Sequence, residues 1–182
     1  AAYQATKSIG LHLRGRLEDQ KFRGISENPT AFERQGPEWL GAAGAEAVLG
    51  PTMRIEAEFR LLLKEAREKY NGYLEKSLHL DHIWLVGSGH YLLTSLSAAI
   101  DLYDDPDPFV SAATRRDEQY RARFTYGLPL SWLAGGDGVV AEALRGFNLN
   151  NTYEVYRSSS NLTNFTYWNR RYSISVSRRW EF

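Results

Sequence analysis

Apolar and polar residues alternate along most of this chain, and the alternation is clearest in its final segment. Successive side chains of a β-strand point to opposite faces of the sheet, so this segment is predicted to be a two-faced strand. One parity is mainly apolar and aromatic: Trp168, Arg170, Tyr172, Ile174, Val176, Arg178, Trp180 and Phe182. The other parity is polar: Asn169, Arg171, Ser173, Ser175, Ser177, Arg179 and Glu181.

The same period of two recurs upstream and predicts about eight strands in all. A helix over 54–70 is the main alternative there, because Glu, Arg, Leu and Lys favour helices. The alternation from Met53 to Leu63 is unbroken, however, and this favours a strand. The predicted strands cover roughly 3–20, 38–50, 52–68, 73–86, 90–104, 115–133, 138–157 and 162–182.

The predicted connections are of two kinds. Gly50-Pro51, 87–89 and 134–138 are tight, glycine-rich turns, whereas 21–37 and 104–114 are longer and polar. Short turns on one side and longer loops on the other are typical of an up-and-down membrane barrel. The sequence therefore predicts an all-β fold, a transmembrane antiparallel up-and-down β-barrel of about eight strands, with residues 1–182 forming a single domain.

Composition narrows the function classes. Lys+Arg and Asp+Glu both number 22, so the net charge is zero and nucleic acid is not a predicted partner. The mean hydropathy of −0.46 resembles that of a soluble protein, but only alternate residues of a barrel strand meet lipid. Cysteine is absent, which excludes disulfides and thiolate metal sites.

The final segment resembles the C-terminal signal of bacterial outer-membrane β-barrel proteins. The matching positions are Ser175, Ser177, Trp180 and Phe182, and Ser177 stands where that family usually has glycine. The resemblance implies a location in the bacterial outer membrane and contact with outer-membrane lipid and lipopolysaccharide. It also implies that the barrel-assembly machinery inserts the chain.

A second resemblance covers residues 117–182. This stretch combines tyrosine-rich strands, a glycine-rich turn and a Ser160-Asn161 loop before the last strand. It is similar to the closing hairpins of outer-membrane barrels linked to tetratricopeptide repeats or to exopolysaccharide secretion. That similarity implies a barrel with more strands that exports a polymer.

The polar parity of the predicted strands is strongly charged, and we assign it to the barrel interior. An eight-stranded barrel is just wide enough for side chains to fill, so these charges would pair as a packed interior. The protein would then anchor or bind a partner through loops 21–37 and 104–114. In a larger barrel the same residues would line a pore for an anionic solute. The predicted interior charges are Arg14, Arg16, Glu46, Arg54, Glu56, Glu58, Arg60, His79, Asp81, Arg121, Arg123, Glu142, Arg171 and Arg179.

Candidate chemistry is sparse. The four histidines, His12, His79, His82 and His90, lack metal-ligand spacing, and no metal or cofactor is predicted. Ser158–Ser160 with His79 and Glu75 leave open a lipid A-modifying barrel enzyme, but the paired His-Ser motif of lipid A deacylases is missing. No catalytic residue is assigned. The acidic segment 104–108 is interpreted as a stiff loop, with calcium binding as the alternative.

Overall fold

The chain folds as one antiparallel β-sheet of nine strands whose order in space is their order in sequence. The computed structural model describes residues 1–22 and 30–178. Each strand pairs with the next one along the chain, as in an up-and-down meander. The strands are β1 Ala2–Gln4, β2 Ile9–Gln20, β3 Gly36–Leu49, β4 Met53–Lys64, β5 Tyr73–Gly87, β6 His90–Tyr103, β7 Arg116–Pro129, β8 Phe147–Ser160 and β9 Tyr167–Arg178.

Strands β2 to β9 correspond to the eight predicted segments, and β1 is additional. The predicted strand over 3–20 is interrupted because Thr6 Oγ1 accepts hydrogen bonds from the backbone N–H groups of Ser8 and Ile9. This turn folds β1 back onto β2. The strand interpretation of 53–64 is confirmed, while Lys69–Asn71 beyond it forms a short 3-10 turn.

Two of the predicted tight turns are confirmed. A turn follows Leu49 at Gly50, and Gly87 and Gly89 have positive φ angles of 112° and 79° in the turn between β5 and β6. These conformations favour glycine because it has no Cβ.

The third predicted turn forms at 134–138, but it does not join two strands directly. The segment between β7 and β8 contains two short helices, α1 Leu130–Leu133 and α2 Val139–Ala143. Positive φ angles at Gly135, Gly136 and Gly138 reverse the chain there, and Glu142 N–H donates to the Gly138 carbonyl in a helical turn. Glu142 was predicted to face a barrel interior. It instead lies on α2, exposed and 2.8 Å from Arg145, so it does not belong to the sheet.

The burial of the two faces is the reverse of that in a water-soluble protein, because the polar face is the more buried one. Large apolar side chains on one face are exposed, for example Leu13 at 63 % and Tyr172 at 62 %. Among the described residues, the buried hydrophobic side chains are only Ala42 and Ala141. The buried polar set is larger: Glu38, Glu58, Lys64, Ser77, Asp101, Asp117 and Ser158. The sheet therefore curls around its polar face and leaves its apolar face outside.

Within the described ranges, the sheet is open and does not close into a barrel. Strand β9 has β8 as its strand neighbour, and the edge of β2 that faces away from β3 is covered by β1 over Gly10–His12. The predicted closure of about eight strands on themselves thus differs from the observed sheet. No helix in the described part of the chain is both long enough and apolar enough to cross a membrane.

Candidate functional site

The candidate site is the charged face, which we define as the polar face of strands β2 to β9. The strand register places twelve of the predicted interior residues on it. Glu142 is excluded as described above, and Arg179 lies outside the described residues. The twelve are Arg14, Arg16, Glu46, Arg54, Glu56, Glu58, Arg60, His79, Asp81, Arg121, Arg123 and Arg171.

Glu58 is the centre of the densest group on this face. Its carboxylate lies 3.0 Å from His12 Nε2 and 2.7 Å from Arg14 Nη2, and Arg60 Nε also donates to it. Glu58 is only 5 % exposed, so its charge depends on these donors for the solvation that water would otherwise supply. We call His12, Arg14, Glu58 and Arg60 the Glu58 cluster.

The Glu58 cluster joins strands that are not neighbours. His12 and Arg14 lie on β2 and Glu58 lies on β4, with β3 between them. Gly44 of β3 makes this contact possible, because a Cβ there would lie 2.5 Å from the His12 ring. Ala42 and Gly44, the small residues on the charged face of β3, thus let long side chains cross over that strand.

A second group lies nearer the long loops. Glu38 accepts hydrogen bonds from Arg16 at 2.5 Å and Gln20 at 3.0 Å, and Lys64 donates to Gln20 at 2.8 Å and to the Gly36 carbonyl. Apart from Arg16, the sequence prediction missed this group. The sequence pattern could have identified it, because Glu38 and Lys64 are even-numbered like the predicted interior residues of β3 and β4 and so lie on the same face.

Strands β6 to β8 carry a third group at the same level. Arg115 Nε donates to both Asp117 oxygens, at 3.0 and 2.8 Å, and Gln119 links Asp101 to the Tyr156 hydroxyl. Asp117 and Asp101 are 2 % and 5 % exposed. These buried acids were also missed, although their parity matches that of Arg121 and Arg123 on β7.

The charged face is more open towards the short turns. Arg54 lies 2.8 Å from Glu46 and 3.3 Å from Glu56, and Arg123 lies 2.5 Å from Glu154. The side chains of Arg54 and Arg123 are about half exposed, at 48 % and 50 %. They border a depression of about 450 Å³ that Asp81 and Ser95 also line. Here the paired charges face open space.

The remaining predicted residues have local contacts. His79 Nε2 lies 3.1 Å from Ser77 Oγ, Arg121 stacks on the Tyr156 ring with its Cζ 5.1 Å from the centroid, and Arg171 lines a groove beside Arg123. Ser158 lies three strands away from His79, on β8 rather than β5. At strand spacings of about 4.8 Å, these two side chains do not form a nucleophile–base pair.

The acidic segment is a capped loop. Asp107 Oδ1 accepts a hydrogen bond from the Phe109 N–H at 2.9 Å, a common turn-stabilising contact. Across the residues that the structure describes, no group of three or more His, Cys, Asp or Glu side chains is arranged to hold a metal ion.

The loops at the long-loop end pack on one another around a cavity of about 370 Å³. The Tyr70 hydroxyl donates to Glu33 Oε2 at 2.6 Å, which ties the β4–β5 connection to the β2–β3 connection. This hydrogen bond to a carboxylate raises the pKa of Tyr70 to about 12. The predicted partner loop 104–114 contributes Asp105 and Asp107 to the cavity wall, and 23–29 of the other predicted loop lie outside the described residues.

The predicted insertion signal is partly described. Ser175 and Ser177 lie on the charged face of β9, opposite Asn150 and Asn148, and Ser177 Oγ accepts a hydrogen bond from Asn150 at 3.0 Å. Trp180 and Phe182 lie outside the described residues.

Comparison with protein-family models, with curated proteins and with solved structures found no match in any of the three. The class of protein is therefore defined by the fold and the charged face alone. It is an all-β protein built on one antiparallel up-and-down sheet, with charges on its inner face and apolar side chains on its outer face.

Proposed function

We propose that this chain forms part of the wall of a bacterial outer-membrane β-barrel whose charged face lines a water-filled passage. The main support for the proposal is that polar side chains are buried while large apolar side chains are exposed. An exposed apolar face that spans several strands is unfavourable in water and favourable in lipid. The resemblance of the final segment to the outer-membrane signal supports the same location, with lipopolysaccharide and the barrel-assembly machinery as the proposed partners.

Strand length agrees with a crossing of the bilayer. A tilted transmembrane strand needs about 9–11 residues, and β2 to β9 contain 12 to 15. On β9 the apolar face runs from Trp168 through Tyr172 and Ile174 to Arg178, which is the length of one crossing. Trp168 lies at one end of this apolar face, and aromatic side chains at the ends of a transmembrane strand favour the membrane–water interface.

The open sheet favours a wall segment over a self-contained barrel. Lipid cannot hydrogen-bond to backbone groups, so every strand edge of a membrane sheet must be paired. The edge of β9 and the part of the β2 edge that β1 leaves uncovered therefore need strand partners in lipid. In a wall segment, another segment of the protein or a second copy would supply them. A barrel with more strands encloses water, and the half-exposed Arg54 and Arg123 suit such a lumen.

A self-closed anchoring barrel is the second candidate, and one observation favours it. The Glu58 cluster at mid-strand and the groups around Glu38 and Asp117 at the long-loop level fill the charged face with ion pairs of buried acids. If β2 met β9 directly, these groups would occupy the interior. The protein would then act through its loops, without conducting.

Substituted cysteines distinguish the two candidates, because the chain has no cysteine of its own. Ser95 and Leu96 are neighbours on β6 and lie on opposite faces. In lipid vesicles, Ser95→Cys should react with a water-soluble maleimide while Leu96→Cys is protected. Protection of both positions would favour the filled, self-closed barrel. Reaction of Leu96→Cys alone would contradict the assignment of the apolar face to lipid.

A further inference from the structure

The outer, apolar face is not uniformly apolar at the long-loop end. On strands β5 to β9 this end carries Lys76, Arg116, Arg157 and Arg170 but a single carboxylate, Glu118. Glu118 is engaged by Arg116 at 3.0 Å. At the opposite end, the described part of the same five strands carries one charged side chain on this face, Arg178. Positive charge is therefore concentrated at one level of the outer face.

Arg157 and Arg170 form the centre of this positive level. Arg157 of β8 lies opposite Trp168 of β9, and Arg170 lies two residues further along β9, opposite Val155. Such diagonal positions on neighbouring strands lie about 7–8 Å apart, which lets two long side chains reach the same group. Trp168 lies beside both, and its ring centroid is 3.8 Å from Arg170 Cζ.

Neither arginine has a carboxylate directly opposite it in the register. Glu118 lies diagonal to Arg157 on β7, but it is paired with Arg116. Their neighbours on the apolar face are Tyr120 and Trp168 for Arg157, and Val155 and Tyr172 for Arg170. Both side chains are exposed. An arginine remains charged at any physiological pH, and a charge facing hydrocarbon is costly unless it is paired.

We propose that Arg157 and Arg170 bind the phosphorylated headgroup of an outer-leaflet lipid such as lipid A. The planar guanidinium forms bidentate, charge-assisted hydrogen bonds with phosphate oxygens. A groove on the same face, lined by Tyr120, Ala122, Val155 and Trp168, continues from Arg157 and accommodates an acyl chain. The inference rests on the proposed function, because it needs this face to be in lipid with the long loops outside.

The test uses the full chain in phosphatidylcholine nanodiscs that contain either bisphosphorylated lipid A or the same lipid without its phosphates. The lipid retained by the purified protein is quantified by mass spectrometry. The variant combines Arg157→Gln with Arg170→Gln. Arg178→Gln is the matched control, since Arg178 lies on the same face of β9 at the opposite end. Quenching of tryptophan fluorescence by brominated lipids reports insertion separately for every sample.

Wild-type protein should retain the bisphosphorylated lipid about tenfold more than the dephosphorylated one, as expected for charge-assisted hydrogen bonds. The double variant should lose this preference and Arg178→Gln should keep it. An unchanged preference in the double variant, or displacement by equimolar inorganic phosphate, would overturn the lipid site while leaving the proposed function intact. Absence of quenching in the wild type would overturn the proposed function and this inference with it.

Discussion

At the scale of single residues, two glycines allow side chains to cross over a strand. Gly44 on β3 lies under the His12 ring that reaches Glu58, and Gly127 on β7 lies under the Tyr91 ring. The Tyr91 hydroxyl donates to Asn150 on β8, so the second crossing has the same form as the first. Each glycine thereby leaves room for a side-chain contact between two strands that are not neighbours in the sheet.

We expect Gly44→Ala to weaken the Glu58 cluster. Its new Cβ would meet the His12 ring and lie 2.8 Å from the Ala57 carbonyl oxygen, so the ring must move away. Overpacking of this kind costs about 1–3 kcal/mol in the free energy of unfolding. Gly41→Ala is the control on the same strand, because its Cβ would meet no atom within 4 Å. Equal denaturant midpoints for the two variants in lipid would contradict the crossing.

Tyr70 gives a prediction about pH. Its pKa is raised from 10.0 to about 12 because its hydroxyl donates to Glu33. A raised folded-state pKa means that the contact stabilises the loops below pH 10 and that this stability is lost as the pH rises through 12. Absorbance titration of the wild-type protein, compared with Tyr70→Phe, should show one additional phenolate that forms only as the pH approaches 12. Glu33→Gln should return the titration towards 10.0, and an unchanged titration in that variant would exclude Glu33 as the cause.

At the scale of elements, period two identified the strands well but not where every strand ends. The alternation of Leu128, Leu130 and Trp132 continues past Pro129, whereas β7 ends there. Proline has no N–H to donate to the ladder, and the glycines that follow favour a reversal into α1 and α2. Pattern alone therefore extended β7 and placed Glu142 on a strand.

Strand β9 gives the sharpest test of which face meets lipid. Ile174 is 60 % exposed on the apolar face, and its neighbour Ser173 lies on the charged face. In the proposed barrel, Ile174→Arg should cost roughly 2–4 kcal/mol near the bilayer centre, whereas Ser173→Arg should cost little. The fraction of chain that assembles in vesicles, scored by gel mobility without boiling, measures the difference. A larger defect for Ser173→Arg would reverse the two faces.

At the scale of the whole molecule, the sequence predicted correctly which strand residues share a face, but the predicted closure into a barrel differs from the open sheet. Side-chain parity is the same in an open sheet, a small barrel and a larger one. Parity also cannot supply register, so it placed Arg14 and Glu58 on one face without revealing that they are 2.7 Å apart across β3. The position of the buried acids Asp101 and Asp117 opposite each other is likewise a matter of strand register, which parity alone does not give.

Conductance tests the proposal for the whole molecule. If further copies of the chain close a barrel whose charged face lines water, the purified chain in a planar bilayer should give steady openings whose size increases with salt concentration. The reason is that ions then pass along the half-exposed Arg54 and Arg123 rather than meeting a filled interior. A silent bilayer with insertion confirmed by quenching would favour the self-closed anchoring barrel.

The two crossing glycines also have an evolutionary consequence. A larger residue at position 44 is compatible with the fold only if position 12 shortens, and position 127 has the same relation to position 91. In related chains these pairs should therefore change together. Such coupled variation between residues on neighbouring strands would record the side chains of β2 and β6 reaching across to β4 and β8.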